Sequence, residues 1–282
     1  MAEHPFYDTP HGKITQLERK LAEAGLDVEL IDAVNKKRGL AKAWVDDLRQ
    51  RLNPPVSTAV TGQFDRYQRH LLSLDAQLDR LRKFDITVWN DCVATAGWFD
   101  GVDTSSDHVQ RPDNLEFFYV EFGSPQENVE LHWKAIAMTQ RVPSDGGCYI
   151  KTGLDNLRLH PLALTYTPGI HRVRINLVAN WEPKDGRSLV QVRERAAAQS
   201  KTLAHAETLA AYGLHDELLR QQDGENFPYA DLSGFEYKFP GNRGFSCCPY
   251  VYRGDDGFRL YASGVGDVFR SWAAPVVLGV KS

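Results

Sequence analysis

The stretch Pro249–Leu278, PYVYRGDDGFRLYASGVGDVFRSWAAPVVL, is the one around which the chain is organised. Asp255-Asp256-Gly257 reads as a hairpin turn, because glycine tolerates the positive φ that tight turns need. After it, Phe258, Leu260 and Ala262 alternate with Arg259, Tyr261 and Ser263. A side-chain period of two sends the first set to one face and the second set to the other. Before it, Tyr250 and Tyr252 flank Val251. Residues 264–271 read as a loop carrying Asp267, Phe269 and Arg270, and Trp272 opens a final strand. The expected product is a hairpin with tyrosines, arginines and a tryptophan on one side. That composition suits binding, since rigid aromatics and arginine give contact area at low entropic cost. A half-buried sheet with a merely amphipathic outer face would carry the same pattern.

Working outward, the chain has 282 residues, 42% hydrophobic and 25% charged, enough for one large domain or two to three small ones. A net charge of −4 gives no polyanion-binding signal. The start, MAEHPFYDTPHGK, lacks the apolar core of a signal peptide, and no apolar run approaches membrane-spanning length. The four cysteines, Cys92, Cys148, Cys247 and Cys248, form no C-x-x-C metal spacing. Reduced thiols in a cytoplasmic protein are therefore expected.

In chain order, residues 1–56 read as a small helical domain. Thr15-x-x-Glu18 can form a capping box, and residues 27–37 and 40–52 follow as further helices. Lys36-Lys37-Arg38 is the only basic cluster there, at a helix C-terminus where cations complement the dipole anyway. Residues 57–84 read as a linker followed by a coiled-coil-like helix. Phe64, Tyr67, Leu71, Leu74, Leu78 and Leu81 make its seam, which fits either a homo-oligomer contact through helix 63–83 or packing along the same chain. Residues 85–166 read as a β-rich middle domain, with strand candidates at 86–89, 115–122 and 129–138, the last also fitting a short helix. Residues 167–282 form the last expected domain. Val173, Ile175, Leu177 and Ala179 alternate there with polar residues, and helices follow over 189–199 and from Leu203 toward Leu219. The fold class expected is α+β.

The order strand, helix, "LAHAE" entry to a second helix, irregular loop and terminal hairpin resembles the C-type-lectin fold. It is most similar to the ligand-binding domains of bacterial variable proteins diversified by retroelements, and to proteins of candidate-phylum bacteria with comparable helix–aromatic-strand endings. The resemblance runs from Ile170 to Val280. It rests on Val173–Val178 as first strand, on Leu203-Ala204-His205-Ala206-Glu207, and on Pro249–Tyr252 with Phe258–Ser263 as display hairpin. It implies a ligand face made of Tyr250, Tyr252, Arg253, Arg259, Tyr261, Asp267, Phe269, Arg270 and Trp272. Trp89-Asn90-Asp91-Cys92 matches the calcium tripeptide of sugar-binding lectins, and Arg111–Asn114 looks like a partner loop. Both fall outside the resembling segment and in reversed order, and a tripeptide supplies too few of the six to eight oxygens calcium takes.

No catalytic constellation stands out. There is no H-E-x-x-H, no G-x-S-x-G and no phosphate-binding glycine loop. His205 and Glu207, two apart in an expected helix, would not share a face. The same fold resemblance includes oxidase-type enzymes that use a cysteine pair, so an enzyme working through Cys247 or Cys248 is the alternative, with a helical nucleic-acid binder as another. Adjacent cysteines do not match that enzyme pattern, and buried small hydrophobes are the commoner fate of cysteine. The expectation is a non-enzymatic protein that binds a protein partner, with no cofactor, no metal, no membrane and no nucleic acid.

Overall fold

The computed structural model describes residues 64–89, 97–106, 109–179, 186–222, 227–269 and 272–281. The helices expected over residues 1–56 lie outside the described residues, as do Asn90, Asp91 and Cys92 of the calcium-like tripeptide. Residues 61–282 form one compact unit of mixed α and β structure.

The seam at its start is broken rather than continuous. A 3-10 turn (Asp65–His70) ends at Leu71, and Ser73 then caps helix α1 (Leu74–Phe84) by accepting from the Ala76 N–H. Phe64, Tyr67, Leu74, Leu78 and Leu81 are all buried in the unit's own core. The seam is thus spent inside the chain, not on a second copy. The strand expected at 86–89 is instead a π-helical turn (Asp85–Trp89) running off α1. Its β-branched residues favour a strand only on a half-buried pleat, and here Val88 and Trp89 go into the core beside Phe84.

Strand β1 (Leu115–Glu121) is buried at every residue. Helix α2 (Pro125–Thr139) follows directly and occupies the segment expected as a strand or short helix at 129–138. Ser124 and Glu127 form a reciprocal capping box around Pro125, a start signal that outweighs the branched residues inside. A 3-10 turn (Lys151–Asn156) leads to β2 (Leu157–Leu159), and β3 (Gly169–Asn176) follows. Next come β4 (Arg187–Ser188), α3 (Leu189–Ala198), β5 (Thr202–Leu203), α4 (Ala206–Leu214) and α5 (Asp216–Arg220). The chain ends through β6 (Tyr229–Asp231), β7 (Phe235–Tyr237), β8 (Cys247–Gly254), β9 (Gly257–Gly264), β10 (Val268–Phe269), β11 (Trp272–Ala273) and β12 (Val276–Lys281).

One sheet has the order β1-β3-β12-β5. β1 pairs antiparallel with β3 over its whole length, from Leu115↔Ile175 to Glu121↔Gly169. The expected boundary between domains 85–166 and 167–282 is therefore not a division of the fold: β1 on one side of it has its ladder partner on the other. The outer edge of β1 is closed by two glutamines. Buried Gln77 donates to Glu116 O and accepts from the Phe118 N–H, and Gln110 exchanges two bonds with the Glu116 backbone. Side-chain amides here satisfy edge groups that would otherwise template pairing with another chain.

The second sheet runs β11-β6-β8-β7-β2, with β9 on the free edge of β8. The hairpin register pairs Tyr250 with Tyr261, Tyr252 with Arg259 and Gly254 with Gly257. Gly257 has φ +139°, and a Cβ there would stand 2.4 Å from Arg141 O, so only glycine fits this turn.

Candidate functional site

The alternation in the hairpin sets the site. Val251, Phe258, Leu260 and Ala262 are buried in the main core. Full burial of such side chains stabilises by about 1.5–3 kcal/mol each for the larger ones. The opposite face carries Tyr250, Tyr252, Arg259 and Tyr261, cross-strand neighbours in two consecutive pairs. The outer edge of β9 is not free: Phe258 and Leu260 donate to Arg141 O and Gly147 O, and Leu260 O accepts from the Tyr149 N–H. The hairpin is thus held from its buried side and along its edge.

The face extends beyond the hairpin. Trp272 stands 4.1 Å from the Tyr250 ring, centroid to centroid, and 6.1 Å from Tyr229, which meets Tyr252 edge-on at 6.0 Å. At the other end Tyr261 meets Tyr149 at 5.8 Å and Phe239 at 6.4 Å. Tyr250 links the two ends, at 5.3 Å from Tyr252 and 6.0 Å from Tyr261. Seven aromatic rings therefore form one connected surface, with Tyr261 40% and Tyr149 39% exposed at its open end. Burial, then the neighbouring Tyr252 phenol, pushes the Tyr250 hydroxyl above its ordinary value.

Arg259 is the fixed cation of this face. It forks onto Asp256 Oδ1 through Nε (3.0 Å) and Nη2 (2.7 Å), reaches the Tyr252 hydroxyl at 3.4 Å and lies 5.6 Å above the Tyr149 ring. The bond from Arg259 holds the Asp256 carboxyl below its usual value.

The other expected site residues are placed differently. Arg253 pairs with Phe258, in the opposite phase to Tyr252, and donates to Arg220 O at 2.8 Å. Asp267 is exposed and accepts from the Gly264 N–H at 2.9 Å, closing the loop after β9. Phe269 has its backbone in β10, and Arg270 lies outside the described residues. Tyr149, Tyr229 and Phe239 were not expected. Tyr229 follows the period of two along β6, but Tyr149 and Phe239 arrive from irregular segments that no local pattern links to the hairpin.

Cys247 and Cys248 are buried and form no disulfide, and burial raises both thiol pKa values, opposite to the depression an activated nucleophile needs. His205 and Glu207 do meet, contrary to expectation. His205 is the residue before α4, with φ −121° and ψ −110°, so helical spacing does not apply, and its Nδ1 lies 3.3 Å from Glu207 Oε2. The pair belongs to a closed interior cluster. Glu207 accepts from the Tyr166 hydroxyl (2.8 Å) and the His205 N–H (2.6 Å). Glu121 accepts from the Tyr119 hydroxyl and the Asn128 amide, each at 2.6 Å. Both carboxylates are buried and fully engaged, which makes them structural. Among the described residues, no three His, Cys, Asp or Glu side chains group as metal ligands, and no helix is long and apolar enough to cross a membrane. Comparison with protein-family models, with curated proteins and with solved structures yields no match.

Proposed function

We propose that this is a non-enzymatic binding protein whose aromatic face takes up a protein partner in the cytoplasm. On this reading the elements over 170–280, which lie within the unit 61–282, follow the C-type-lectin-like pattern of retroelement-diversified variable proteins. The observation that carries the binding role is the connected surface of Tyr149, Tyr229, Phe239, Tyr250, Tyr252, Tyr261 and Trp272, with Arg259 fixed among them. Aromatic burial would supply affinity, and Arg259, held by Asp256, would orient the partner without losing side-chain freedom on contact. The lectin-like reading is supported by the pairing of β3 with β12, which joins the first strand of the resembling segment to its last. Buried, high-pKa thiols speak against the cysteine enzyme. Cys247 and Cys248, which form no disulfide, favour a reducing compartment.

The test compares the wild-type chain with the double variant Tyr149→Ala/Tyr261→Ala in crosslinking from host lysate, read by mass spectrometry. The double variant should lose a partner that the wild type captures, with its thermal transition within a few degrees. Loss of the fold would mark these rings as core, and an unchanged set of captured proteins would remove the face as the binding surface.

A further inference from the structure

Three features of the aromatic face restrict what kind of protein segment it can hold. The first is its edge. The free side of β9 is already paired with Arg141, Gly147 and Tyr149, so an incoming strand finds no ladder to extend there. The second is its relief. Tyr229 meets Tyr252 at 84° and Trp272 at 81°, and Tyr261 meets Tyr250 at 76° and Tyr149 at 74°. Rings set nearly at right angles leave furrows walled by π-faces. The aliphatic side chains of the hairpin, Val251, Leu260 and Ala262, are all on the buried side, so the face has no aliphatic trough for an amphipathic helix.

The third is polarity. Arg259 is engaged with Asp256, and Asp231, cross-strand from Tyr250, is engaged with buried Arg187. The hydroxyls of Tyr149, Tyr250 and Tyr261 make no hydrogen bond among the described residues. The middle of the face therefore offers ring walls and hydroxyl donors, with its charges closed on one another. Two carboxylates stand open at the rim. Asp145 and Asp267 are exposed, and each accepts from a backbone N–H alone, that of Gly147 at 3.0 Å and of Gly264 at 2.9 Å. Their charges reach the face: after burial, Asp145 adds to the upward push on the Tyr149 phenol and Asp267 to that on Tyr250.

We propose that the face holds a proline-rich segment in the polyproline II conformation, flanked by a basic residue at the rim; this rests on the protein-binding reading above. Proline has no N–H, so its burial against the rings strands no donor. Polyproline II has no internal hydrogen bonds, which leaves its carbonyls to accept from Tyr149, Tyr250 and Tyr261. Pyrrolidine rings fill the furrows, and the segment is extended before it binds, so little order is lost on contact. A lysine or arginine beside the prolines meets Asp145 or Asp267 and sets the direction in which the segment lies.

The test follows the fluorescence anisotropy of three labelled, blocked peptides titrated with the full chain: eight prolines then arginine, eight prolines then glutamate, and a glycine–serine octamer then arginine. The arginine-ended prolines should bind saturably. The glutamate-ended peptide should bind about threefold more weakly, as a rim charge gives, and the glycine–serine peptide about tenfold more weakly or worse. Tyr250→Ala should lower the affinity for the first peptide about tenfold. Asp145→Asn/Asp267→Asn should abolish the preference for arginine over glutamate, and a preference that survives overturns the rim contact. Should Tyr250→Ala lose its thermal transition, Tyr250→Phe/Tyr261→Phe keeps the rings and should still weaken binding about threefold through the hydroxyls alone. Equal binding of the glycine–serine peptide, or no binding of either proline peptide by wild type, overturns the proposal. The protein-binding reading then stands or falls separately, on whether Tyr149→Ala/Tyr261→Ala loses the partner crosslinked from lysate.

Discussion

Tyrosine is used in two opposite ways in this molecule. Tyr119 and Tyr166 belong to the interior cluster, and each gives its hydroxyl to a carboxylate, Glu121 or Glu207. Burial, before those carboxylates, drives both phenol pKa values far up, so they act as permanent donors. Tyr250, Tyr252 and Tyr261 meet one another across the outer face of the hairpin, with Arg259 as the polar anchor. The Tyr119 and Tyr166 hydroxyls are each matched with an acceptor inside the chain. The outer set is arranged ring against ring and keeps its open end toward solvent. The lesson is that residue type alone does not mark a binding residue; the partner of its hydroxyl does.

The largest way to break this comparison is truncation. Tyr119→Ala should cost about 3–5 kcal/mol in urea unfolding, as large buried aromatics do, whereas Tyr261→Ala should cost under about 1 kcal/mol. Equal losses would erase the distinction. Next is acid. Burial holds His132 at about 4 and His215 at about 3, below the unfolded value near 6.5. Both groups are therefore neutral in the fold, so their contribution is full above pH 6.5 and falls as pH drops toward 4 and 3. Each should remove about 1.4 kcal/mol per pH unit well inside that window. Urea titrations at pH 7, 6 and 5 check this, and His215→Asn should flatten the slope by one proton. Smaller is the hydroxyl alone. Tyr119→Phe leaves a buried Glu121 oxygen without its donor and should cost about 1–3 kcal/mol, while Tyr261→Phe should stay within about 0.5 kcal/mol. The smallest effect is chemical: Cys247 and Cys248 should react with iodoacetamide far more slowly in the folded chain than in urea. Rapid native alkylation of either would reopen the thiol enzyme.

The α+β class and the hairpin's two faces were legible because each rests on a local signal. Asp255-Asp256-Gly257 marks the turn, and alternation from Phe258 to Ser263 assigns the sides, as the burial of Phe258, Leu260 and Ala262 bears out. The start of α2 was legible too, in Ser124-Pro125-x-Glu127, but the branched residues within it drew the reading toward a strand. Other features had no local signal. That β1 pairs with β3 depends on contacts roughly fifty to sixty residues apart, from Glu121↔Gly169 to Leu115↔Ile175. Three of the seven rings, Tyr149, Tyr229 and Phe239, had no local signal linking them to the hairpin either: Tyr149 reaches Tyr261 only because residues 141–149 close the edge of β9. The seam of α1 was seen correctly as apolar, yet period alone cannot say whether a stripe meets its own core or another copy.

The strict phase of the β8·β9 ribbon has a consequence for how this sequence can change over generations. Positions 250, 252, 259 and 261 share one side, while 251, 258, 260 and 262 are locked into the interior. In the first set Tyr261 is exposed and Tyr250, Tyr252 and Arg259 are half-buried, so a change there meets fewer core contacts than a change in the second set, whose side chains have nowhere else to go. A ribbon of this kind works like a keyboard on a rigid frame: the keys lie on one side and the frame on the other.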